Sequence, residues 1–394
     1  MYEPLWDELY ERLKSRGIAI NSIWIADVAQ QGASGVLNEA KLGNDREYFS
    51  VFSNDLYLHA TASWMDHPRD LFLMVNHFRA HMKRPIIGIG HSMGGNNLIN
   101  LSLMHPRLFT SLILLDPVIQ RVPSLNGNFT PAKMSTKRRD RWPNRAAAEA
   151  SFKRSKFYQT WDPRVLDLWI KHGLRDLPTP LYPGAAPASS SPPILSPDPS
   201  LATIQPKPST DIEVTLTTTK HQEVLTFLRP NFTTLANNNI PNPLTHPDLD
   251  VLSLPPTPFY RPEPQATFLR LPHVRPSVFY IFGETSNLSA PHLKADKLAQ
   301  TGIGVGGSGG VKKGRVESVT FKGVGHLIPM EVVGETAEAC AGWVGKEVWR
   351  WRGMESEERR EWKRVERGEK SRLSREYVEK ISGDWMDGTK KAKL

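Results

Sequence analysis

The chain has 394 residues, 39% of them hydrophobic, which is enough for one large α/β domain with an insertion or for two domains. Its single cysteine, Cys340, excludes an intrachain disulfide framework and favours a reducing or neutral compartment inside the cell. The net charge of +9 is concentrated in "KMSTKRRDRWPNR" and in the tail. Because no recognisable nucleic-acid module accompanies these charges, we interpret them as solvated surface and predict no nucleic-acid partner.

The first residues predict a helix and not a targeting or membrane segment. The stretch "MYEPLWDELYERLKSRG" is amphipathic, and it lacks the apolar region and the small-residue cleavage site of a secretory signal. No stretch of the chain reaches the ~18 apolar residues that a spanning helix requires, so we predict no transmembrane segment.

The next hundred residues alternate between strand and helix patterns. Short apolar runs predict buried strands, and apolar residues at helical spacing predict helices. In chain order the predicted elements are a strand in "IAINSIWIADVAQQG", a helix in "HPRDLFLMVNHFRAHM", a strand in "RPIIGIG", a helix in "GGNNLINLSLMH" and a strand in "LFTSLILLDPV". This alternation predicts an α/β fold with a mostly parallel sheet and flanking helices.

The pattern changes after Val118 and resumes near residue 276. Between them lie an aromatic-rich helical stretch and a Pro- and Ser-rich segment, 178–210, which has too little apolar surface to fold and is predicted to be disordered. The sheet pattern then continues through "SVFYIFGETSNLS" and "RVESVTFKG". The predicted organisation is a first part of the core at 1–120, a helical lid insertion at 121–275, a second part of the core at 276–352 and a charged tail at 353–394.

The string "GVGGSG", Gly304 to Gly309, fits the glycine spacing of a dinucleotide-binding loop. That loop must follow a strand and open a helix, where the backbone amides meet the pyrophosphate. Here the string follows a predicted helix and precedes a predicted strand. We therefore interpret it as a flexible connector and not as a cofactor site.

Gly90-His91-Ser92-Met93-Gly94 fits the G-x-S-x-G pattern of a nucleophilic serine. A serine at a sharp strand-to-helix turn adopts a strained, positive-φ conformation, and the glycines two residues away avoid collisions across the turn. The helix that follows would direct the Met93 N–H toward a developing oxyanion. The alternative interpretation is a plain turn; the strand before Ser92 and the helix after it favour the nucleophile.

A serine hydroxyl requires a base, and His326 in "VGHLIPME" is the preferred candidate. It lies on a loop after the last predicted strand, where this architecture places its base. Four other histidines compete, three on or beside helices and one in the insertion: His67, His77, His105 and His221.

Two residues are candidates for the acid that orients this base. Asp116 ends the strand after the nucleophile helix, and Glu284 ends the following strand. In many relatives of this architecture the acid lies slightly further along the second loop, where this chain has Ser286, which cannot anchor an imidazolium by charge. We prefer Asp116 and keep Glu284 as the alternative acid; an Asx-type cap before Pro117 is the structural interpretation of Asp116.

Several segments together resemble one family. These are the serine elbow, "LLDPV", "RRDRWP", "FYQTWDPRVLDLWIKHGLRDLPT", "VTLTTTKHQEV", "GHLIPME" and the terminal "AKL". They resemble the fungal peroxisomal α/β-hydrolases, similar to a yeast peroxisomal lipase and to hydrolases of host-selective toxin biosynthesis clusters. The resemblance implies an α/β-hydrolase core, a lid between its sixth and seventh strands, ester or acyl hydrolysis in peroxisomes, and no cofactor.

The chain departs from that family at its start. The family places two or three strands and an oxyanion loop ahead of the helix that "YEPLWDELYERLKSRG" resembles, and this chain begins at that helix. A second oxyanion donor would come from that loop, and losing one such donor costs ~10²–10³ in rate. We expect a truncated gene model or an alternative start.

The predicted function is a serine hydrolase that cleaves an ester or thioester of a lipid-like or secondary-metabolite acyl substrate. Five aromatic residues of the lid are predicted to shape an apolar pocket: Trp142, Phe157, Tyr158, Trp161 and Trp169. In a thioesterase, the basic "KRRDR" could meet the phosphates of coenzyme A. The alternative is a catalytically impaired binding or scaffold protein on the same fold.

The last three residues, Ala392-Lys393-Leu394, resemble the Ser-Lys-Leu peroxisomal address. Such an address is read by a receptor and must be terminal and exposed. The predicted location is therefore the peroxisomal matrix, with the import receptor as partner.

Overall fold

A computed structural model describes residues 1–43, 63–122, 125–184, 212–230 and 258–383. The chain divides into two compact units, Met1–Gly345 and Lys346–Leu394. The predicted catalytic residues all belong to the first unit. Most of the Pro- and Ser-rich segment and the whole C-terminal tripeptide lie outside the described residues, so the predictions for them stay predictions.

Within the described residues the chain forms thirteen α-helices and nine strands. The helices are α1 (Glu3–Ser15), α2 (Gly32–Asn38), α3 (Asp66–His77), α4 (Met93–Met104), α5 (Leu125–Lys137), α6 (Arg145–Arg154), α7 (Pro163–His172), α8 (Lys220–Phe227), α9 (Glu263–Arg270), α10 (Pro291–Gln300), α11 (Ile328–Glu331), α12 (Val333–Arg364) and α13 (Arg375–Ser382). The strands are β1 (Ile87–His91), β2 (Ser111–Leu115), β3 (Arg141–Trp142), β4 (Leu174–Asp176), β5 (Val214–Leu216), β6 (Arg229–Pro230), β7 (Phe259–Tyr260), β8 (Ser277–Gly283) and β9 (Val316–Phe321).

The main sheet is parallel, with the strand order β1-β2-β8-β9. Its register is continuous, because Gly90 pairs with Leu114, Leu114 with Tyr280 and Tyr280 with Ser318. Every residue of β2 and β8 is buried, as expected for parallel strands covered on both faces. The carboxyl ends of the four strands meet at one edge, where open parallel sheets bind their ligands. The predicted fold class, a mostly parallel α/β sheet with flanking helices, is confirmed.

Helices on the sheet supply the rest of the main core. α4 contributes Ile99 and Leu101, which pack with buried side chains of β2, α9 and β8. At the start of the chain, α1 buries Leu5, Leu9 and Leu13, which recur every four residues along one face. The predicted helices in "HPRDLFLMVNHFRAHM" and "PHLKADKLAQ" correspond to α3 and α10. The glycine-rich segment joins α10 to β9, as predicted for a connector.

One predicted strand is wrong. The apolar run "IAINSIWIADVAQQG" has no strand pairing in the described part of the chain, and its side chains Ile23, Trp24 and Ile25 are exposed. A β-favouring composition becomes a strand only where a sheet edge accepts its backbone hydrogen bonds and a core accepts its side chains. In the described structure, no strand pairs with the backbone of this segment and no core encloses these three side chains.

The insertion has a small core of its own. β3, β5 and β4 form an antiparallel sheet, against which aromatic side chains of α6, α7 and the turn between them pack. Of the five predicted pocket residues, Trp142 and Tyr158 are buried in this core, and Trp161 and Trp169 pack against it while partly buried. Phe157 is 47% exposed. These rings form the core of the insertion itself, because a short insertion needs its own buried apolar surface.

The basic run "KRRDR" makes most of its contacts within the insertion. Arg138 pairs with Glu223, and Arg141 pairs with Glu213 at 2.9 Å. Arg139 donates a hydrogen bond to the Arg141 carbonyl at 2.8 Å, and its guanidinium lies 5.6 Å from the centre of the Trp142 ring. These contacts give the arginines a structural role and weaken the prediction that they meet coenzyme A phosphates.

Two phenylalanines of the insertion test this description. Phe152 is 4% exposed and contacts the rings of Trp142, Tyr158 and Trp169, whereas Phe157 is 47% exposed. We expect Phe152→Ala to lower the free energy of unfolding by about 3–5 kcal/mol, because it removes a buried ring and leaves a cavity. Phe157→Ala is the matched control and is expected to cost less than about 1 kcal/mol. Denaturant unfolding measures both; equal losses would contradict a separate core in the insertion.

The second unit, taken by itself, contains the last part of α12 and all of α13. Its helices are rich in charge, but they also expose apolar side chains, including Trp349, Trp362 and Ile381. The prediction of a charged helical tail agrees with these elements. Across the described residues, no helix combines the length and the hydropathy needed to cross a membrane.

Candidate active site

Ser92 occupies a strained turn between β1 and α4. Its φ is 56° and its ψ is −119°, in the positive-φ region that non-glycine residues seldom adopt. A side chain at Gly90 would put its Cβ 2.6 Å from the Gly94 carbonyl oxygen, and one at Gly95 would meet Pro117 at 2.7 Å. The prediction of a cramped strand-to-helix turn therefore agrees with the structure.

The prediction that a side chain at Gly94 would collide across the turn is wrong. A Cβ at this position would meet no atom within 4 Å among the described residues. The collision across the turn involves the backbone of Gly94 and the missing side chain of Gly90. The steric requirement for glycine therefore applies to Gly90 and Gly95.

His326 lies on the loop between β9 and α11, beside Ser92. Its Nε2 is 2.9 Å from Ser92 Oγ, and its Nδ1 is 2.6 Å from Asp116 Oδ2. An ionised carboxylate only accepts hydrogen bonds, so Nδ1 carries the proton and Nε2 accepts from the serine hydroxyl. The three side chains therefore form a continuous chain of hydrogen bonds.

Asp116 follows β2 and is completely buried. Its φ is 42°, and its N–H donates to the Ile281 carbonyl at 2.8 Å, which continues the β2–β8 ladder beyond the strand. Burial by itself would raise the pKa of this carboxyl. Hydrogen bonds from His326, Ser286 and Ser289 outweigh burial and hold the pKa below its ordinary value.

Glu284 does not take the acid position in this structure. Its side chain is exposed, and its Oε2 accepts a hydrogen bond from the Gly323 N–H at 2.9 Å. The structure thus brings Asp116 to His326 and leaves the alternative acid on the surface. The competing histidines lie on other elements: His67 and His77 on α3, His105 after α4 and His221 on α8.

Met93 is the first residue of α4, as the predicted oxyanion donor requires. Its side chain packs against Trp64, Val118 and Leu288. The backbone N–H groups in the first turn of a helix have no partners within the helix and favour negative charge. The Met93 N–H is therefore suited to an oxyanion that forms beside Ser92.

Sequence reasoning missed the role of His91, although this residue precedes the serine in the motif. Its Nε2 is 2.9 Å from the His326 carbonyl oxygen and its Nδ1 is 3.1 Å from the Tyr2 hydroxyl. Since a carbonyl can only accept, Nε2 donates, and Nδ1 accepts from Tyr2. Burial, and then repulsion from His326, lower the pKa of His91 to about 3. A neutral His91 thus ties the base-bearing loop to the elbow.

Sequence reasoning also missed a buried cation near the acid. Lys297 on α10 is 1% exposed, and its Nζ donates to the carbonyls of Leu288 and Leu293 at 3.2 and 3.4 Å. Burial lowers the pKa of this lysine to about 8, although Asp116 and Asp296 oppose the shift. In the sequence, the only signal for a buried Lys297 is its position next to apolar residues of the predicted helix.

Metal ligands are not assembled in the described part of the chain. There, no group of three or more His, Cys, Asp or Glu side chains could hold a metal ion. Cys340 is buried, and burial raises the pKa of its thiol to about 12.

Comparison with known proteins places this geometry in context. Residues 57–174 match the family Hydrolase_4, described as serine aminopeptidase, S33. The chain is 41% identical over 376 residues to the type I acyl-CoA thioesterase mpaH of Penicillium roqueforti (strain FM164), which covers 93% of this chain and 78% of that protein. It is 28% identical over 270 residues to the abhydrolase domain-containing protein AFT2-1 of Alternaria alternata, covering 68% of this chain and 85% of that protein.

The fold is also similar to a solved structure, the peroxisomal alpha-beta-hydrolase Lpx1 of Saccharomyces cerevisiae. The TM-score is 0.53 at 16% sequence identity, and the match covers 98% of this chain and 83% of the other. At this identity the similarity concerns the fold alone.

Proposed function

Because this chain belongs to the fungal α/β-hydrolase family that includes the type I acyl-CoA thioesterase mpaH, we propose that it hydrolyses an acyl thioester through Ser92, His326 and Asp116. The family resemblance read from the sequence is confirmed by that relative, and so is the class of enzyme, an α/β-hydrolase-type serine hydrolase. The observation that carries the catalytic proposal is the chain of hydrogen bonds from Asp116 through His326 to Ser92 Oγ.

In the first half-reaction, Ser92 Oγ attacks the thioester carbonyl carbon while His326 Nε2 takes the hydroxyl proton. The negative charge that develops on the carbonyl oxygen is stabilised by the Met93 N–H. Collapse of the tetrahedral intermediate breaks the carbon–sulfur bond, and the imidazolium returns its proton to the leaving thiolate. Ionised Asp116 keeps His326 in the required tautomer and stabilises the imidazolium.

In the second half-reaction, water replaces the thiol. His326 takes a proton from the water, whose oxygen attacks the acyl–Ser92 ester, and the Ser92 oxygen leaves with the proton returned by His326. The products are a free acid and a thiol. No redox step and no cofactor is required by this sequence of bonds.

We propose that residues 121–275 form a lid that borders this site. A contact beside the base supports the proposal: the Asp162 N–H donates to the Met330 carbonyl at 2.8 Å, four residues beyond His326. Arg164, at the start of α7, also pairs with Glu8 of α1 at 2.9 Å. Through these contacts the start of α7 packs against α11, the helix that follows the base, and against α1.

The thioester assignment has a direct test. An acyl-CoA and the simple alkyl ester of the same acid are compared as substrates, with release of free thiol or acid measured. We expect kcat/KM to be at least about 10-fold higher for the acyl-CoA, which corresponds to about 1.4 kcal/mol of preferential transition-state binding. A preference for the ester would contradict thioesterase activity while leaving the serine hydrolase chemistry intact.

The proposal of a peroxisomal location rests on Ala392-Lys393-Leu394. A fluorescent protein fused to the last ten residues is expected to enter peroxisomes in fungal cells. The matched control replaces Leu394 with Ala and is expected to stay in the cytosol. A wild-type fusion that remains cytosolic beside an imported Ser-Lys-Leu control would contradict this location.

A further inference from the structure

We propose that Ser286 and Ser289 are positioning residues that fix the Asp116 carboxylate against His326 Nδ1, each by donating a hydrogen bond to one of its oxygens. This inference rests on the proposed catalytic use of Ser92, His326 and Asp116. It adds two residues that do not touch the substrate but act through the acid.

Three protein groups donate hydrogen bonds to the Asp116 carboxylate. Ser286 Oγ donates to Oδ2, Ser289 Oγ donates to Oδ1, and His326 Nδ1 shares Oδ2 at 2.6 Å. Asp116 is completely buried, and both serines are buried as well. The two hydroxyls therefore determine how the carboxylate is rotated, and with it which oxygen faces the imidazole.

The direction of the Ser286 hydrogen bond follows from its other partner. The Leu288 N–H donates to Ser286 Oγ at 3.2 Å, so the hydroxyl proton is available for Asp116. The turn is fixed further by the Ser289 N–H, which donates to the Ser286 carbonyl at 3.1 Å, and by Lys297, which donates to the Leu288 carbonyl at 3.2 Å. Both hydroxyls thus belong to one short, internally bonded turn after β8.

This turn is the place where sequence reasoning expected an acid in many related chains. Ser286 cannot orient an imidazolium by its own charge. Its contact with Asp116 gives it an indirect role: β2 supplies the carboxylate, and the turn after β8 supplies its donors. The two strands are neighbours in the sheet, so the turn after β8 lies beside the residue that follows β2.

The two serines also stabilise the charge of the acid. Together with His326, their hydroxyls hold the pKa of the Asp116 carboxyl below its ordinary value, although burial by itself would raise it. Without the serine donors, the buried carboxylate would keep His326 as its main partner and would be free to rotate away from Nδ1.

The test uses Ser286→Ala, Ser289→Ala and the double variant in the full chain, with kcat and KM measured across pH on an acyl-CoA. We expect the double variant to lose about 10- to 100-fold in kcat, the size expected for hydrogen bonds to a charged group. KM should change by less than about 2-fold, because the serines do not touch the substrate. The loss should therefore lie in kcat and not in KM, which separates a positioning role from a change in substrate binding.

Thr285→Val is the matched control. Thr285 lies on the same turn, and its hydroxyl donates to the Val324 carbonyl at 2.9 Å instead of to Asp116. We expect this variant to keep both kcat and KM of the wild type. Thermal unfolding of every variant shows which of them are folded, and the two single variants carry the test if the double variant does not fold.

Three results would overturn the inference. They are a double variant with wild-type kcat, a loss of activity that lies in KM and not in kcat, and an equal loss of kcat in Thr285→Val. The proposed function fails separately, if Ser92→Ala retains activity. An inactive Ser92→Ala beside unchanged serine variants would leave the hydrolase intact and remove only the positioning role.

Discussion

Replacing Ser92 with Ala is expected to lower kcat for acyl-thioester hydrolysis by about 10⁴- to 10⁶-fold, the range for losing the nucleophile of a serine hydrolase. The reason is that in the proposed mechanism Ser92 Oγ, which lies 2.9 Å from His326 Nε2, forms the covalent acyl intermediate. KM should change little, because Ala keeps the shape of the turn. Stopped-flow or steady-state detection of released thiol measures the loss.

Ser102→Ala is the control for Ser92→Ala. Ser102 lies on α4, the helix that follows Ser92. It is 2% exposed and donates its hydroxyl proton to the Ile99 carbonyl at 2.7 Å. Its loss removes a buried hydrogen bond without touching the site, so kcat should stay within about 2-fold. A fluorophosphonate probe should label wild type and Ser102→Ala and leave Ser92→Ala unlabelled. Equal labelling of all three would refute Ser92 as the nucleophile.

The second large effect is expected from Asp116→Asn. An amide in this position can present an N–H group to Nδ1, which would turn the imidazole into the wrong tautomer, and it also loses the charge that stabilises the imidazolium. By analogy with the same change in other triads, kcat should fall by about 10³- to 10⁴-fold. The measurement is kcat at the pH optimum of the wild type, with far-ultraviolet circular dichroism to verify folding.

Glu284→Gln separates the two acids that the sequence left open. Glu284 is exposed and accepts a hydrogen bond from the Gly323 N–H, so its neutralisation should change kcat by less than about 2-fold. A larger loss in Glu284→Gln than in Asp116→Asn would reverse the assignment of the acid. Comparable losses in both variants would also contradict it, because among the described residues Asp116 is the carboxylate that hydrogen-bonds to His326.

Several features were predictable from the sequence because they depend on neighbouring residues. The periodicity of apolar residues identified α3, α4 and α10, and the short apolar runs identified β1, β2 and β8. The elbow is local too: Gly90 and Ser92 lie two residues apart, and the collision that excludes a larger side chain at Gly90 involves Gly94. A local pattern also located His326, since it follows a strand and is preceded by a glycine.

The strand predicted within residues 18–32 shows where local patterns are insufficient. Its composition is that of a buried strand, but a strand also needs a partner with free backbone groups. The aromatic residues of the insertion show the same limit. Aromatic side chains on one side of a helix are expected both in the core of an insertion and in the wall of a substrate pocket, so the pattern does not distinguish the two. In both cases the neighbouring surface decides, and that surface is built from distant residues.

By itself, the sequence determined the parallel α/β core, the strained serine and a histidine suited to serve as its base. Only the tertiary structure decided between Asp116 and Glu284, and only it brought Ser286, Ser289, His91 and Lys297 into the site. The physical reason is distance along the chain: Asp116 and His326 are 210 residues apart, and Ser286 and Asp116 are 170 apart. Hydrogen bonds over such separations are created by the register of the sheet, which places the ends of β1, β2, β8 and β9 side by side.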